Sequence, residues 1–444
     1  MTTSSEGAEL THIGPGTAMG QLMREYWMPA LKSSELTRDG DPVRLMLLGE
    51  KLIAFRDGAG RVGVMDHRCP HRCASLFLGR NEDGGIRCVY HGWKFDTSGQ
   101  CVDMPSVPSH QDFKHKVKAK AYRTLERAGL VWVYMGTRAE APPLPQLQIL
   151  DAPDDEINVG MIQRDCNYLQ AIEGEIDTAH FGYLHGGHVD PAMLAEDEPL
   201  YHTVTNRAPQ YRVADTPWGT QYGAYRSAGR GRTYWRFANF LFPFWTQAPN
   251  GEFDSHAHGR AWVPLDDGHT MYVFIWWKRA VSAQALPQPA YKDGTPIGGT
   301  SRGNVLVPNT TDWLGRWRLA RNESDDWGMD REAQRSNKIY CGIDGIHLQD
   351  QAITESMGPI VDHAHEHLGP SDQMITRTRR CLLKAVRAHR DAGTLPPGVE
   401  DGSVYHGARS GYFVSDDQGE WRDVYHRRLA AALHPTPTPA RAAG

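Results

Sequence analysis

The sequence predicts an α+β protein of two domains, an all-β N-terminal domain followed by a larger α+β domain. A chain of 444 residues is too long for one ordinary domain. Short strand-like runs separated by turns fill residues 43–136, whereas helical and strand-like patterns are mixed beyond them. Between the two patterns lies APPLPQL, whose prolines interrupt helices and strands alike. We therefore expect domains over residues 1–145 and 146–434, and a flexible tail over residues 435–444.

The N-terminal domain is expected to begin with a helix and to continue as a β-meander. Met19, Leu22 and Met23 recur at helical spacing, and Thr17 is a suitable N-cap. From Val43 onward, the runs VRLMLL, KLIAF and VGVM are separated by turn sequences. One turn, GAGRVG, matches a dinucleotide-binding fingerprint, but the residues after it leave no room for the helix that such a site requires. We interpret this turn as part of a hairpin and expect no nicotinamide site.

The larger domain is expected to contain three helices and several long strands. Its strand candidates are TYWRFANFLF and MYVFIWW. Its helix candidates cover residues 167–183, 346–357 and 374–390.

Composition excludes several classes of protein. The chain has 48 Lys and Arg against 53 Asp and Glu, a net charge of −5, which gives no electrostatic basis for binding nucleic acid or anionic lipid. Its longest strongly apolar run, Met271 to Trp277, is far shorter than the ~20 residues that span a bilayer. The N-terminus lacks the basic and apolar regions of a secretory signal. Seven cysteines, an odd number, indicate a reducing compartment, and we expect a cytoplasmic protein.

Two Cys–His pairs predict a first metal site. Cys69-Pro-His71 and Cys88-Val-Tyr-His91 each offer one thiolate and one imidazole. Such a set can hold zinc, or a [2Fe–2S] cluster with both cysteines on one iron and both histidines on the other, which is the Rieske arrangement. Zinc fingers usually pair Cys with Cys and His with His, and this strand-rich domain offers no finger helix. Together with Arg72 after the first histidine, these features favour the iron–sulfur cluster.

A second metal site is predicted from two histidines. In CNYLQAIEGEIDTAHFGYLH, Glu173, Asp177 and His180 fall at i, i+4 and i+7 on one helical face. Gly182 is expected to loosen the turn so that His185 converges with His180. Two neutral imidazoles and one carboxylate form the facial triad of non-haem Fe(II), which leaves positions open for dioxygen and substrate.

The carboxylate of this triad is expected from another helix. In IHLQDQAITESMG, Ile346, Asp350, Ile353 and Met357 share one stripe, so that Asp350 interrupts an apolar face. An unpaired buried carboxylate is costly, and a metal cation would compensate it. We predict Asp350 as the third iron ligand. The rival groups are expected at the surface, with contact to an iron ligand as the alternative for His188. These groups are His188 with Asp190, and His363, His365 and His367.

Together these segments resemble the terminal oxygenase (α) subunits of the Rieske non-haem iron oxygenases, in the phthalate dioxygenase-like branch. CPHR, CVYHGWKFD and the Asp-x-x-His-x4-His spacing carry the resemblance. It implies a Rieske β-domain before an α+β domain whose curved antiparallel sheet wraps around a helix (a helix-grip). It implies that Asp177 bridges a Rieske centre to the iron of a neighbouring subunit, and hence a homotrimer or a dimer of trimers. Cys73 departs from the pattern, because the family commonly has a small non-thiol residue there. The implied ligands are Cys69, His71, Cys88 and His91 for the [2Fe–2S] cluster, and His180, His185 and Asp350 for one mononuclear Fe(II) per subunit.

The resemblance also implies an activity. Such an enzyme uses O2 and electrons from a separate NAD(P)H-dependent reductase to hydroxylate an aromatic substrate, which we expect to be an aromatic carboxylate. Monooxygenation, such as O-demethylation of a methoxylated aromatic acid, is the alternative, because both reactions use the same iron ligands. A Rieske electron carrier would leave the larger domain without a role, and a zinc-stabilised binding protein would explain neither the spacing nor Asp350.

Substrate and reductase recognition have weaker candidates. Arg236 lies among aromatic residues in TYWRFANFLFPFW, and a guanidinium suits a substrate carboxylate; the alternative is an outward-facing ion pair. Four alternating lysines predict a charged strand face, either protecting a sheet edge or receiving an acidic reductase. These lysines are Lys114, Lys116, Lys118 and Lys120, and a rival basic patch is Arg377, Arg379, Arg380 and Lys384.

Overall fold

The computed structural model describes residues 2–198, 200–255, 257–277, 288–417 and 419–433. The predicted tail, residues 435–444, lies outside the described residues. The helices are α1 (Ser4–Thr11), α2 (Ala18–Arg24), α3 (Tyr168–Ile176), α4 (Tyr201–Thr205), α5 (Arg331–Arg335), α6 (Ile346–Ser356), α7 (Gln373–Ala392) and α8 (Trp421–Leu433). The strands of the first domain are β1 (Trp27–Lys32), β2 (Val43–Leu47), β3 (Glu50–Arg56), β4 (Val62–Asp66), β5 (Arg80–Glu82), β6 (Gly85–Arg87), β7 (Lys94–Phe95), β8 (Cys101–Asp103), β9 (Ala121–Arg127) and β10 (Leu130–Tyr134). The remaining strands are β11 (Ile157–Arg164), β12 (Gln210–Thr216), β13 (Gly219–Ser227), β14 (Thr233–Leu241), β15 (Trp245–Gln247), β16 (His258–Asp266), β17 (His269–Trp277) and β18 (Gly411–Ser415).

The N-terminal domain is all-β, apart from the helices that precede it, as predicted. One sheet has the order β1-β10-β9-β4-β3-β2, and a second, smaller sheet is the meander β5-β6-β7-β8. The predicted meander is β2, β3 and β4, which pair as antiparallel neighbours. The Gly-rich sequence forms the hairpin turn between β3 and β4, with Gly60 at a positive φ of 88°. The predicted helix is α2, capped by Thr17 as predicted, and α1 precedes it.

The predicted lysine strand does not exist. Lys114–Lys116 form a 3-10 turn, because the Asp112 carboxylate accepts the Lys114 N–H at 2.9 Å and starts a turn there. Lys114 and Lys120 are also paired with acidic side chains, Asp112 and Glu50. The four lysines therefore do not form one strand face. The rival basic patch also fails as a set, because Arg379 is buried.

The larger domain is a mixed α and β structure built on one antiparallel sheet. Its strand order is β11-β17-β16-β15-β14-β13-β12, and β18 pairs with the part of β14 that β15 leaves free. Phe240, Thr246, Arg260 and Phe274 are successive cross-strand partners, so their side chains point to one face of the sheet. Helix α3 contacts β14, β15, β16 and β17, and α6 packs on α3. The helices thus lie against the sheet, where they hold the residues described below.

The two domains share a hydrophobic core. Trp132 of β10 and Trp245 of β15 are fully buried and stack with ring centroids 5.8 Å apart. The backbone N–H groups of Leu48 and Gly49 donate to carbonyl oxygens at the end of β16, at 3.1 and 2.8 Å. The boundary at residue 145 stays a prediction. Within the described residues, no helix is long and apolar enough to cross a membrane.

Candidate metal centres and active site

The first candidate centre lies in two equivalent turns of the N-terminal domain. In one turn the Cys73 N–H donates to the Cys69 carbonyl, and in the other the Gly92 N–H donates to the Cys88 carbonyl, both at 2.9 Å. Cys73 and Gly92 both have positive φ, 59° and 80°, so Cys73 occupies a position that glycine occupies in the second turn. The matching turns bring both thiols inward, where Cys69 and Cys88 are buried.

The two histidines lie at the half-exposed rim of these turns. The ring centroids of His71 and His91 are 4.4 Å apart, and His71 stacks on Trp93 at 4.3 Å. Nδ1 of His91 is buried without a hydrogen-bond partner. Burial raises the pKa of the Cys69 thiol to about 12, and a bound metal cation reverses such a shift by stabilising the thiolate. Two thiols inside and two imidazoles outside, one with an orphaned nitrogen, fit a [2Fe–2S] cluster of the Rieske type.

The second candidate centre begins where α3 ends. The predicted helix over residues 167–183 is wrong in its length, because α3 stops at Ile176 and Asp177 is its C-cap, with extended backbone. A separate 3-10 turn follows over His180–Gly182. Glu173 therefore does not share a face with His180; its carboxylate instead pairs with the buried Arg379 at 2.6 Å.

The predicted triad comes together in spite of this break. Ligand atoms of His180, His185 and Asp350 all lie within 4.8 Å of one another. Nε2 of His185 is 3.1 Å and Nε2 of His180 is 3.5 Å from Oδ1 of Asp350. Asp350 lies on α6, which is present as predicted, but the predicted burial of its stripe is wrong. Ile353 and Met357 are 43% and 46% exposed, so the stripe that they share with Asp350 is not buried.

The charges around these residues favour a cation. Burial alone lowers the pKa of His180, but hydrogen bonds to Asp177 and Asp350 outweigh burial and raise it to about 10. Burial alone raises the pKa of Asp350, but the charges of the two histidines hold it well below its usual value. Two imidazoles that converge on one carboxylate are the donor set of a mononuclear non-haem iron, and this geometry fits it.

Asp177 stands beside the triad and not in it. Its Oδ2 atom lies 3.4 Å from Nδ1 of His180, on the side of the imidazole that faces away from Asp350. The Ala179 N–H donates to its other oxygen at 2.6 Å. Burial raises the pKa of the Asp177 carboxyl, but the hydrogen bond and charge of His180, together with backbone hydrogen bonds, outweigh burial and lower the pKa. The carboxylate is therefore placed to hold the His180 ring in orientation.

A cavity of about 310 Å³ opens beside Asp350. Its aromatic wall is formed by Tyr272, Phe274 and Trp276, which project from one face of β17 with successive ring centroids 5.1 and 4.8 Å apart. Gly160 of β11 makes room for this wall, because a Cβ at that position would overlap the Phe274 ring. The alternating aromatic residues in MYVFIWW are the sequence signal for this wall.

Arg236 is buried, so the alternative of an outward-facing ion pair is wrong. It is 4% exposed, its Nε donates to Oγ1 of Thr178 at 2.9 Å, and its guanidinium lies 4.9 Å from the centre of the Phe181 ring. Among the described residues, no carboxylate lies within 4.0 Å of its guanidinium. Arg236 does not line the 310 Å³ cavity.

Of the rival groups, His363 is buried and pairs with Glu366 at 3.2 Å, contrary to the expectation of a surface position. Neither rival group joins the triad among the described residues.

Comparison with known families covers most of the chain. Residues 26–119 match the Rieske [2Fe-2S] domain, and residues 133–435 match the family described as LigXa C-terminal domain like. The oxygenase subunit of 3-chlorobenzoate-3,4-dioxygenase from Comamonas testosteroni is 51% identical, and the match covers 97% of this chain and 99% of that relative. The phthalate 4,5-dioxygenase oxygenase subunit from Pseudomonas putida is 35% identical, with 98% and 97% covered.

A solved structure has the same fold. The terminal oxygenase of carbazole 1,9a-dioxygenase from Novosphingobium sp. KA1 is similar with a TM-score of 0.52 at 20% identity, and the match covers 87% of this chain and 96% of that chain. With both domains matched in one chain, and with relatives that match over nearly their whole length, the chain belongs to the Rieske non-haem iron oxygenases as a terminal oxygenase subunit, an oxidoreductase with a [2Fe–2S] cluster and a mononuclear iron.

Proposed function

We propose that this oxygenase hydroxylates an aromatic carboxylate, with dioxygen and with electrons from a separate NAD(P)H-dependent reductase. The observation that carries the proposal is the convergence of His180, His185 and Asp350 beside a cavity with an aromatic wall. The two relatives described above are named for chlorobenzoate and phthalate, and both of these are aromatic carboxylates. Their names support the substrate class.

The proposed ligands follow from the two candidate centres. Cys69, Cys88, His71 and His91 hold the cluster, and His180, His185 and Asp350 hold the iron. When bound, the cluster supplies electrons one at a time and the iron supplies the activation of dioxygen next to the substrate. The protein provides the ligands, the orientation of their rings and the walls of the cavity.

The substrate ring is proposed to stack in the cavity against Tyr272, Phe274 and Trp276. Arg236 does not line this cavity, and it is proposed as the partner of the substrate carboxylate on its burial and charge. Its guanidinium is buried beside Phe181 without a carboxylate partner of its own among the described residues. Arg302 competes for that role, since it lines the cavity itself and no described carboxylate lies within 4.0 Å of it.

Asp177 is proposed to connect the two kinds of centre across a subunit boundary, in a homotrimer or a dimer of trimers. It lines a second cavity, of about 240 Å³, together with His180, Asp350 and the exposed apolar side chains of Ile353 and Met357. The exposed apolar side chains at this opening support docking of a neighbouring N-terminal domain there. The five cysteines that are not proposed cluster ligands form no disulfide among the described residues, which supports a cytoplasmic location.

Product analysis with a reductase and NADH tests the proposal. The panel contains benzoates, phthalates and methoxybenzoates. A cis-dihydrodiol from a benzoate or phthalate supports dihydroxylation, whereas a phenol with formaldehyde from a methoxybenzoate indicates O-demethylation. Cluster reduction without oxygen uptake on any aromatic acid would leave only an electron carrier, and zinc in place of iron would refute the metal assignments.

A further inference from the structure

A buried glutamine, Gln349, contacts one of the two histidines of the triad. Its Oε1 atom lies 2.6 Å from Nδ1 of His185, and it is 1% exposed. Gln349 belongs to α6 and immediately precedes Asp350. The same helical turn therefore delivers the carboxylate of the triad to one side of the site and an amide to the back of His185.

The amide of Gln349 can have only one orientation. Its Nε2 group donates two hydrogen bonds, to the carbonyl oxygens of Gly299 at 2.8 Å and Ile343 at 2.6 Å. Turning the amide over would place Oε1 against these two carbonyl oxygens, acceptor facing acceptor, and would remove one donor from each. Such a buried mismatch is costly, so Oε1 is fixed toward His185.

The fixed amide in turn sets the proton position on His185. Oε1 can only accept, so Nδ1 of His185 must carry the hydrogen. In the neutral imidazole, the form that binds a metal, the lone pair is then on Nε2, which faces Asp350 at 3.1 Å. This is the tautomer in which Nε2 can bind a metal. His180 has a similar arrangement, in which its Nδ1 faces Asp177 at 3.4 Å and its Nε2 faces Asp350.

We infer that Gln349 is a positioning residue for the iron, which fixes the ring and the tautomer of His185 through Oε1 while Gly299 and Ile343 anchor its Nε2. The inference rests on the proposed role of His185 as a ligand. A histidine ligand whose second nitrogen loses its acceptor typically binds metal about 10- to 100-fold more weakly. Removal of Oε1 is therefore expected to weaken metal binding without changing any ligand atom.

Cobalt titration of the full-length protein tests this, after the mononuclear metal is removed with a chelator and with the cluster absorbance intact. Gln349→Met removes the acceptor and both donated hydrogen bonds. Gln349→Glu removes the same two hydrogen bonds but keeps an acceptor at His185. Gln351→Met is the matched control, because Gln351 is also buried on α6, and its Nε2 donates to Glu355 and not to the triad.

We expect Gln349→Met to bind Co(II) about tenfold or more weakly, Gln349→Glu to bind it at least as tightly as the native protein, and Gln351→Met to be unchanged. Equal losses in the Met and Glu variants would mean that only the anchoring of α6 matters, and would overturn the inference. If Gln349→Met does not fold, Gln349→Glu decides alone, since weaker Co(II) binding by that variant refutes the acceptor role.

His185→Ala distinguishes the proposed ligand role of His185 from the positioning role of Gln349. Undiminished Co(II) binding in that variant refutes the proposed ligand, whereas a loss there with native binding in Gln349→Met refutes only the role of Gln349.

Discussion

Nδ1 of His180 faces Oδ2 of Asp177 at 3.4 Å, although α3 ends before either residue. The contact is made across a turn, and the Ala179 N–H holds the carboxylate in place at 2.6 Å. Asp177 therefore acts on His180 from a position fixed by the backbone, and it does so at the cavity rim where the triad approaches the surface.

Asp177→Asn keeps the shape of this contact and removes its charge. We expect the variant to keep its Rieske absorbance and most of its mononuclear iron, and its cluster to accept electrons from the reductase. Product formation should fall by roughly two orders of magnitude or more, because the proposed connection between the centres is lost. Single-turnover reoxidation of the cluster, with substrate and oxygen present, measures this step.

Asp362→Asn is the control for this experiment, since Asp362 also accepts the N–H of the residue two positions later but does not line the 240 Å³ cavity. If iron-replete Asp177→Asn reoxidises its cluster at the native rate, Asp177 serves only as the cap of α3.

Arg236→Met tests the proposed carboxylate partner. Loss of a hydrogen-bonded charge typically costs about 1.5–3 kcal/mol, so the KM for the aromatic acid should rise by at least about tenfold. The kcat should change much less, since Arg236 is not among the triad. Steady-state kinetics with Arg302→Met in parallel distinguishes the two arginines. An unaltered KM in Arg236→Met, with a raised KM in Arg302→Met, would transfer the role to Arg302.

Cys73→Gly should stabilise the N-terminal domain. Cys73 is exposed and has a positive φ of 59°, a conformation that costs a non-glycine residue about 1 kcal/mol and glycine almost nothing. We expect a higher melting temperature and slower bleaching of the cluster absorbance by peroxide, because an exposed thiol beside the cluster is removed. Cys341→Ser, distant in sequence, should change neither. Faster bleaching in Cys73→Gly would show that the thiol protects the cluster.

The Asp266–His269 pair at the β16–β17 turn predicts a pH dependence of stability. The hydrogen bond that His269 donates to Asp266 raises the pKa of His269 above 6.5, against the effect of burial. Burial raises the pKa of Asp266, but the hydrogen bond and charge of His269 and backbone hydrogen bonds together lower it below 3.8. The raised histidine pKa stabilises the fold below 6.5 and loses this effect as pH rises through the folded-state pKa. The lowered aspartate pKa stabilises above 3.8 and loses its effect as pH falls through the folded-state pKa.

His269→Gln should therefore lower the melting temperature most between about pH 4 and 6.5, and little at alkaline pH. Thermal unfolding of both proteins across this range measures the difference. A deficit that is the same at every pH would show that packing, and not the charge pair, is lost.

For the second centre, the sequence predicted which residues converge, but not the backbone structure that brings them together. The spacing of the Cys–His pairs is local, and the resulting turns contain all four predicted side chains. The end of α3 at Ile176 was not predicted, because the helical pattern continues through the turn. The prediction of Asp350 as a ligand rested on a buried stripe of α6, but that stripe is partly exposed at Ile353 and Met357.

Other features depend on contacts between distant parts of the chain. Gln349 meets His185 across 164 residues, and nothing in the local pattern of α6 sets it apart from Gln351. The lysine pattern was misleading because one side chain, Asp112, starts a turn that alternation alone cannot show.

The stacking of Trp132 on Trp245 means that the two domains do not fold as independent modules. A fragment that ends at residue 145 would leave the indole of Trp132 in water and the N–H groups of Leu48 and Gly49 without their acceptors on β16, and it would tend to aggregate. In the intact chain, loss of the cluster chromophore and melting of the larger domain should coincide in a single cooperative transition. A substitution that stabilises either domain should then protect both metal centres against thermal unfolding.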